Sequence, residues 1–329
     1  MRHLSRSLLF AAVFGGVAIF FGFSIFSGPK VSQPDHLGLP SNSALPTRGE
    51  TATPKQPVTV VFGGDMQFDR YIRTVSERRG GAFLFDGLRP EFERADLIVA
   101  NLEGPITENA SVSVTSVEGS HDNYVFTFPA ETAQLLYWEN IRLVNIGNNH
   151  ILNFKEDGVR QTKAFLEQAA VGYFGSPLSG DERIAYREIN GTKLAFVNYN
   201  EFVWKGYEKS LADIALAKER ADFIIIYTHW GKEYVEATAE TKELAHALID
   251  AGADLIIGSH PHVVQEREKY KGKMIYYSLG NFVFDQYFRP ETQSCLLVRA
   301  KFDALSDEIS IEEVPIRLDR SGQTLLDER

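Results

Sequence analysis

The chain has 329 residues, a formal net charge of −10 and a single cysteine. Acidic and basic residues are interspersed without a basic stripe, which argues against nucleic acid as a partner. An anionic substrate would therefore need metal ions to hold it. The lone Cys295 excludes an intrachain disulfide, and its apolar, strand-like surroundings predict a buried thiol.

The amino-terminal segment has the pattern of a membrane anchor. Two arginines and a histidine precede an uncharged apolar run over 8–26, which at about 1.5 Å per residue approaches the roughly 30 Å hydrocarbon core of a bilayer. We expect a cytoplasmic stub over 1–7 and a single-pass transmembrane signal-anchor over 8–27, because the basic flank stays inside the cell. A cleaved signal peptide is the alternative. Either way the folded part is expected to be extracytoplasmic, at the cell membrane if the segment is retained.

The rest of the chain divides into a linker and one domain. Residues 28–57 are rich in Pro, Ser, Thr and Gly and have no periodicity, which predicts a flexible linker. Residues 58–329 are long enough for one large core. Strand-like runs alternate there with helical patterns, such as the apolar face over 244–251, and valines alternate over 108–128 as in a hairpin or an excursion over the site. This mixture favours two stacked sheets with helices outside.

Six short apolar runs lead directly into polar groups that can bind a metal. They are Val58–Phe62 before Asp65, Leu97–Ala100 before Glu103, Leu143–Ile146 before Asn149 and His150, Phe223–Tyr227 before His229, Leu255–Ile257 before His260 and His262, and Met274–Tyr277 before Asn281. Buried strands that end at one edge of a sheet deliver the next residues of the chain to that edge. Two carboxylates, an amide and several imidazoles form the ligand set of a dinuclear metal site.

The histidine pair around Pro261 is the strongest candidate. His260 and His262 can point into one cavity from a rigid loop, and neutral imidazole binds first-row divalent metals; surface histidines in a turn are the alternative. Asp65 comes after two glycines that let the backbone approach an ion closely, although it could also be a helix cap. Glu103 could bridge two cations or be an ordinary loop carboxylate. These residues are predicted metal ligands.

Further candidates lie after the other strands. Asn149 offers an amide oxygen as a neutral ligand, and His150 beside it is a natural general acid, unless the pair is only a polar cap. His229 is a predicted ligand whose alternative is a core histidine bonded to backbone. Arg70 is predicted to bind a substrate carboxylate or phosphate, with a helix-start salt bridge as the alternative. Asn281 is predicted to bind substrate, with structural hydrogen bonding as the alternative.

This constellation supports hydrolysis. Two divalent ions lower the pKa of a bridging water and stabilise negative charge on an oxyanion, so phosphoester hydrolysis is expected and amide hydrolysis is possible. The sequence has no G-x-S-x-G motif and no Walker-type loop, which argues against a serine triad and against nucleotide-driven ligation.

The motifs together resemble a known family. In chain order they are Gly64-Asp65 with Arg70, Asn101-Leu102-Glu103, Gly147-Asn148-Asn149-His150, His229-Trp230-Gly231, Gly258-Ser259-His260-Pro261-His262 and Tyr277-Ser278-Leu279-Gly280-Asn281-Phe282. This series resembles the poly-gamma-glutamate capsule synthesis protein CapA family, a branch of the calcineurin-like metallophosphatases. The resemblance implies an α/β fold, a four-layer αββα sandwich of two mixed sheets flanked by helices. It also implies a membrane-anchored extracytoplasmic protein that helps to make, release or anchor poly-gamma-glutamate.

The resemblance also assigns roles to the candidates. It implies that one divalent metal (Mn, Fe or Zn) is held by Asp65 and His262, a second by Asn149, His229 and His260, with Glu103 bridging and His150 as the acid. The sequence departs from the family pattern at Gln67, where the broader superfamily has the histidine of Asp-x-His, and at Asn153-Phe154, where the family usually has Asp-Tyr. Because of these departures, two alternatives stay open: the site binds one metal tightly, or it binds polymer with little turnover.

Three functions remain in competition. The first is a metal-dependent hydrolase that acts on an anionic polymer or a phosphoester. The second is a non-catalytic polymer-binding subunit of a capsule export or synthesis complex, with capsule polymer synthesis proteins as its partners. The third is a general cell-envelope metallophosphatase.

Overall fold

The computed structural model describes residues 55–328. The predicted stub over 1–7, the predicted anchor over 8–27 and nearly all of the predicted linker lie outside the described residues. Within the described range, no helix combines the length and apolarity needed to span a membrane.

Strands and helices alternate along the described part of the chain. The strands are β1 Val58–Met66, β2 Leu97–Leu102, β3 Ile141–Asn145, β4 Gly172–Phe174, β5 Ala185–Ile189, β6 Thr192–Asn200, β7 Phe223–His229, β8 Leu255–Ser259, β9 Arg267–Tyr270, β10 Lys273–Tyr276, β11 Asn281–Val283, β12 Ser294–Asp303, β13 Glu308–Leu318 and β14 Thr324–Leu326. The α-helices are α1 Arg70–Arg79, α2 Arg89–Phe92, α3 Glu131–Trp138, α4 Lys155–Gln168, α5 Gly206–Ala217, α6 Ala239–Ala251 and α7 Pro290–Gln293. Short 3₁₀ helices cover Gly81–Phe85 and His121–Tyr124.

The strands form two mixed sheets, as predicted. The first sheet has the order β14-β13-β12-β1-β2-β3-β4, with β11 also paired to β1, and the second has the order β5-β6-β7-β8-β10-β9. Strands β1 to β4 run parallel, and so do β6, β7, β8 and β10. Each sheet therefore has one block of parallel strands whose carboxyl ends lie at the same edge.

Three hydrophobic clusters separate four layers of secondary structure. One cluster lies between α1 to α4 and the first sheet, one between the two sheets, and one between the second sheet and α5 and α6. Pairs that represent the three clusters are Ile98 with Leu136, Val99 with Ile225, and Ile226 with Leu248. The order of the layers is thus helix, sheet, sheet, helix.

The layering results from the period of a strand. Val60 and Phe62 of β1 face the other sheet, whereas Val61 faces the helices, because successive side chains point to opposite faces. Strands buried on both faces read as continuous apolar runs. The predicted runs are therefore found as β1, β2 and β3 of one sheet and β7, β8 and β10 of the other.

The structure contradicts the hairpin interpretation of residues 108–128 and confirms the prediction for Cys295. No strand forms over 108–128 among the described residues: the segment is an excursion of turns with one 3₁₀ helix, and Val112, Val114 and Val117 are exposed. The hairpin interpretation was wrong because these valines have no partner layer to cover them. Cys295 is a buried free thiol on β12, as predicted.

Candidate metal centre

The carboxyl ends of the two parallel blocks meet in one place. Tyr227 on β7 donates its hydroxyl hydrogen to the backbone oxygen of Gly63 on β1, so a hydrogen bond joins the two sheets at this edge. Around it, donor atoms of two residue groups lie within 4.8 Å of one another. The groups are Glu103 with His229 and His260, and Asp65 with Glu103 and His262. Glu103 belongs to both groups, and its bridging role stays a prediction.

Glu103 is fully buried, and neither of its carboxylate oxygens has a hydrogen-bond partner. Its Oε1 lies 3.7 Å from His262 Nε2, 3.8 Å from His229 Nε2 and 4.0 Å from His150 Nε2. Burial, together with the charge of Asp65, raises the pKa of Glu103 well above its usual range. A buried carboxylate without donors is strongly disfavoured unless a cation or a proton compensates it.

Asp65 is held from two sides at the end of β1. Its Oδ1 accepts a hydrogen bond from Asn101 Nδ2 at 2.7 Å, and its Oδ2 accepts one from the backbone N–H of His260 at 2.9 Å. Burial raises the pKa of Asp65 to about 7, and these hydrogen bonds oppose that rise. The carboxylate is therefore fixed in orientation but only partly compensated in charge.

Three side chains lie within hydrogen-bonding distance of the ring nitrogens of His229. Nδ1 is 3.0 Å from Ser259 Oγ and 3.3 Å from Asn101 Nδ2, and Nε2 is 2.9 Å from Asn149 Oδ1. Ser259 Oγ donates to the backbone oxygen of Thr228 at 2.7 Å, so it can accept an Nδ1–H, whereas Asn101 Nδ2 can only donate to Nδ1. In the tautomer with Nδ1–H, the lone pair is on Nε2 beside the Asn149 oxygen, and these two atoms suit a shared cation.

The loop after β8 holds its histidines in an uncommon backbone conformation. His260 has φ of 99° and His262 has φ of 58°, a region that non-glycine residues rarely occupy and that concentrates at functional sites. His260 Nδ1 is buried without a hydrogen-bond partner, and burial lowers the pKa of this imidazole to about 4. Burial also lowers the pKa of His229 and of His262 well below the usual range. All three rings are neutral at pH 7, which is the form that binds metals.

His150 lies beside these groups rather than among them. Its Nδ1 is 3.2 Å from Asn153 Oδ1, which also accepts the backbone N–H of Phe126 at 2.8 Å, and its ring packs on Phe126 with centroids 4.5 Å apart. Asn153 Oδ1 therefore accepts the Nδ1–H, and Nε2 is directed toward Glu103. Burial lowers the pKa of His150 to about 4. A general-acid role thus requires a substrate whose negative charge favours protonation of this ring.

Arg70 and Asn281 are both engaged with protein groups. The guanidinium of Arg70 forms a two-pronged salt bridge with Asp285, 215 residues further along the chain. Asn281 is fully buried, and its Oδ1 lies 2.9 Å from His262 Nδ1. The salt bridge and the structural hydrogen bond are therefore formed, and the substrate contacts of these two residues stay predictions.

A cavity of about 500 Å³ opens beside the centre. It is lined by Arg70, Asn123, Tyr124, Tyr234 and Phe288 among others, and Tyr234 stacks on His262 with centroids 6.1 Å apart. Part of its wall comes from the excursion over 108–128, which therefore borders the site, as one of the two interpretations of that segment predicted.

The sequence patterns did not single out several residues that support the predicted ligands. Ser259, Asn101, Asn145 and Asn198 contact predicted ligands or each other at the strand ends, and only their place within or after apolar runs signalled them. Gln67 is fully buried, and both atoms of its amide lack a hydrogen-bond partner. Gln67 lies two residues after Asp65 in the chain.

Comparison with known proteins agrees with the fold and the motifs. Residues 59–286 match a family model described as Bacterial capsule synthesis protein PGA_cap. The PGA biosynthesis protein CapA of Bacillus subtilis (strain 168) is 30% identical over 275 residues, covering 76% of this chain and 70% of that protein. The Capsule biosynthesis protein CapA of Bacillus anthracis is 28% identical over 263 residues, covering 74% of this chain and 63% of that protein.

A solved structure of low sequence similarity shares the fold. A hypothetical protein from Thermus thermophilus superposes with a TM-score of 0.51 at 18% identity, covering 78% of this chain and 98% of that one. The family model covers most of the chain, and the ordered motifs agree with it. This chain therefore belongs to the bacterial capsule synthesis protein PGA_cap family, which includes the CapA proteins.

Proposed function

We propose that this chain is a metal-dependent hydrolase of capsular poly-gamma-glutamate biosynthesis, acting on a phosphoester or on an amide of the polymer. The observation that carries the proposal is the position of Glu103, which both ligand groups share and which no hydrogen-bond donor compensates. The biosynthetic context comes from relatives named for PGA and capsule biosynthesis. The proposal includes an extracytoplasmic location and a membrane anchor over 8–27.

The residues at the strand ends fit a pair of divalent cations. Asp65, Glu103 and His262 would hold one ion, and Glu103, His229, His260 and Asn149 the other. Oxygen and imidazole donors in this mixture suit Mn, Fe or Zn. When bound, such ions supply Lewis-acid stabilisation of negative charge and an acidified water.

The side chains around the centre would perform the remaining tasks. Asn153 holds the Nδ1–H of His150, so this ring presents Nε2 on the side of the ligands and can exchange a proton there with a leaving group. Phe202 covers His260 edge-on with centroids 4.6 Å apart, which limits the access of bulk water to the histidines. The substrate would enter over the cavity lined by Tyr124 and Tyr234.

Metal analysis and hydrolysis assays of the full chain in detergent test this proposal. The purified protein, stripped and reconstituted with Mn²⁺ or Zn²⁺, should bind up to two ions and hydrolyse an aryl phosphate or poly-gamma-glutamate. Glu103→Gln should abolish binding of the second ion and activity, whereas Glu188→Gln, an exposed carboxylate on β5, should preserve both. A wild-type protein that cannot be loaded with any divalent metal would refute the proposal.

A polymer-binding subunit without catalysis is the second candidate. It is favoured by Gln67, which stands at the histidine position of the superfamily's first motif and offers an amide there in place of an imidazole. His150→Ala discriminates the two functions: loss of capsule with unchanged polymer binding supports catalysis, and unchanged capsule supports the binding subunit. The third function, a general cell-envelope phosphatase, predicts two results. The protein should hydrolyse an aryl phosphate, and deletion of its gene should leave the capsule unchanged.

A further inference from the structure

Four buried or half-buried asparagines form a continuous hydrogen-bonded network behind the ligands, which we call the amide network: Asn101, Asn145, Asn148 and Asn198. Asn145 Nδ2 donates to Asn101 Oδ1 at 2.9 Å, and Asn148 Nδ2 donates to the same oxygen at 3.1 Å. Asn198 Nδ2, from the second sheet, donates to Asn145 Oδ1 at 2.9 Å. Asn101 Nδ2 then donates to Asp65 Oδ1 at 2.7 Å. The network thus ends on a metal-site carboxylate.

Backbone groups determine which way each amide points. Asn145 Oδ1 accepts the backbone N–H of Gly147 at 3.2 Å, so the Nδ2 of Asn145 must face Asn101. Asn148 Oδ1 accepts the backbone N–H groups of His150 at 3.1 Å and of Ile151 at 2.9 Å. A backbone N–H can only donate, so these contacts exclude the flipped amides.

The same argument applies at the donor ends of the network. Asn148 Nδ2 donates to the backbone oxygen of Leu102 at 2.8 Å, and Asn198 Nδ2 donates to that of Gly147 at 3.0 Å. Carbonyl and carboxylate oxygens can only accept. Asn101 receives two N–H donors on its oxygen and therefore must direct its own Nδ2 toward Asp65. Every amide in the network has its donor end on the side of Asp65.

We infer that Asn145 and Asn148 are positioning residues for the metal centre, which act through the orientation of the Asn101 amide on Asp65. A chain of hydrogen bonds polarises each member in the same sense, and in a buried site that strengthens the last bond. Asn148 also holds the turn that carries Asn149 and His150, so one network joins the Asp65 side of the centre to the Asn149 side. In Asn145→Asp, the side-chain nitrogen that donates to Asn101 Oδ1 is replaced by an oxygen, so two acceptors face each other. The amide of Asn101 then turns over and directs its oxygen toward Asp65.

The test is the isosteric variant Asn145→Asp in the full chain, with Mn²⁺ as the probe. Removal of residues that orient metal ligands lowers metal affinity by about 10–100-fold, and we expect a fall of this size, measured by isothermal titration. Asn190→Asp makes the same chemical change at an exposed turn and should leave the affinity within about twofold of wild type. An unchanged affinity in Asn145→Asp would overturn the inference.

A second comparison separates orientation from packing. Asn198→Ala also removes hydrogen bonds, but the Gly147 N–H still orients Asn145, so the protein should be less stable and keep its Mn²⁺ affinity. An equal loss of affinity in Asn198→Ala would show that the network acts only by packing, which contradicts the inference. If Asn145→Asp does not fold, Asn148→Asp replaces the second donor to the Asn101 oxygen with an acceptor, and we expect the same fall in Mn²⁺ affinity.

The affinity measurement rests on the proposed function, because it assumes a metal centre. A crystal structure of the metal-free variant tests the inference without that assumption. In a crystal structure of metal-free Asn145→Asp, the Asp65 carboxylate should have moved away from Asn101 and lost the 2.7 Å contact. A wild-type protein that binds no divalent metal would refute the proposed function, while this structural outcome would still decide the inference. An unmoved Asp65 with the Asn101 amide in its original orientation would refute the inference alone.

Discussion

Asn281 Oδ1 accepts the Nδ1–H of His262 at 2.9 Å, while the amide nitrogen of Asn281 donates to the backbone oxygen of Thr292 at 3.0 Å. The second bond orients the amide, and the first therefore leaves the lone pair of His262 on Nε2, 3.7 Å from Glu103 Oε1. Asn281 therefore fixes the tautomer of a predicted ligand of the proposed metal centre.

Asn281→Ala is expected to lower Mn²⁺ or Zn²⁺ affinity by about 10–100-fold, because the imidazole of His262 loses the partner that fixes its ring and its tautomer. Isothermal titration measures this change. Gln293→Ala is the matched control, since that amide contacts only backbone oxygens of Tyr287 and Arg289. Equal affinities in the two variants would contradict the role given to Asn281.

Metal binding is expected to release protons near neutral pH. Burial raises the pKa of Asp65 to about 7 and that of Glu103 well above its usual range, so the metal-free carboxyls still hold protons at mildly acidic pH. A metal must displace these protons, and its apparent affinity should therefore increase as the pH rises through about 7. The histidines contribute little in this range, because the pKa of His260 is about 4. Titrations in buffers of different ionisation enthalpy measure the released protons, and an affinity that falls as the pH rises through neutrality would contradict this assignment.

Loss of His150 is expected to affect turnover rather than metal content. His150→Gln should lower the rate of hydrolysis by about 10²–10⁴-fold, the usual contribution of a positioned acid or base. The metal content should stay that of the wild type, because His150 is outside both ligand groups. Asn153→Ala, which removes the acceptor of the Nδ1–H, should give a smaller loss of rate. Elemental analysis and a rate assay on the same samples check both parts, and retention of full activity by His150→Gln would exclude the proton-transfer role.

Gly64→Ala is expected to disrupt the approach of β11 to β1. A Cβ at Gly64 would overlap the backbone oxygen of Gly280, which accepts the N–H of Asp65 at 3.1 Å. We expect a loss of about 3 kcal/mol in the free energy of unfolding, as in severe overpacking, together with impaired metal binding. Gly272→Ala, in the two-residue turn between β9 and β10, also has a positive φ of 83° but no atom within 4 Å, and should cost about 1 kcal/mol from its backbone alone. Urea unfolding of both variants measures the difference, and equal losses would show that the contact with Gly280 is not the cause.

The candidate ligands could be found from the sequence because their positions depend on local rules. An apolar run that forms a strand ends where polar residues begin, and parallel strands place their carboxyl ends at one edge. Asp65, Glu103 and His229 come directly after such runs, so their convergence did not require knowledge of the strand order. The excursion over 108–128 could not be assigned in the same way, because alternating valines predict a strand only where another layer covers them.

The order of residues along the chain was enough to specify which groups are delivered to the edge and to which family the chain belongs. The orientation of those groups became known from the folded chain: Asp285 pairs with Arg70, Ser259 contacts Nδ1 of His229, and Asn145 and Asn148 converge on Asn101. The difference arises because delivery depends on the pattern within single strands, which lies in neighbouring residues. Orientation depends on the register between strands and on the packing of two sheets, which join residues far apart in the chain.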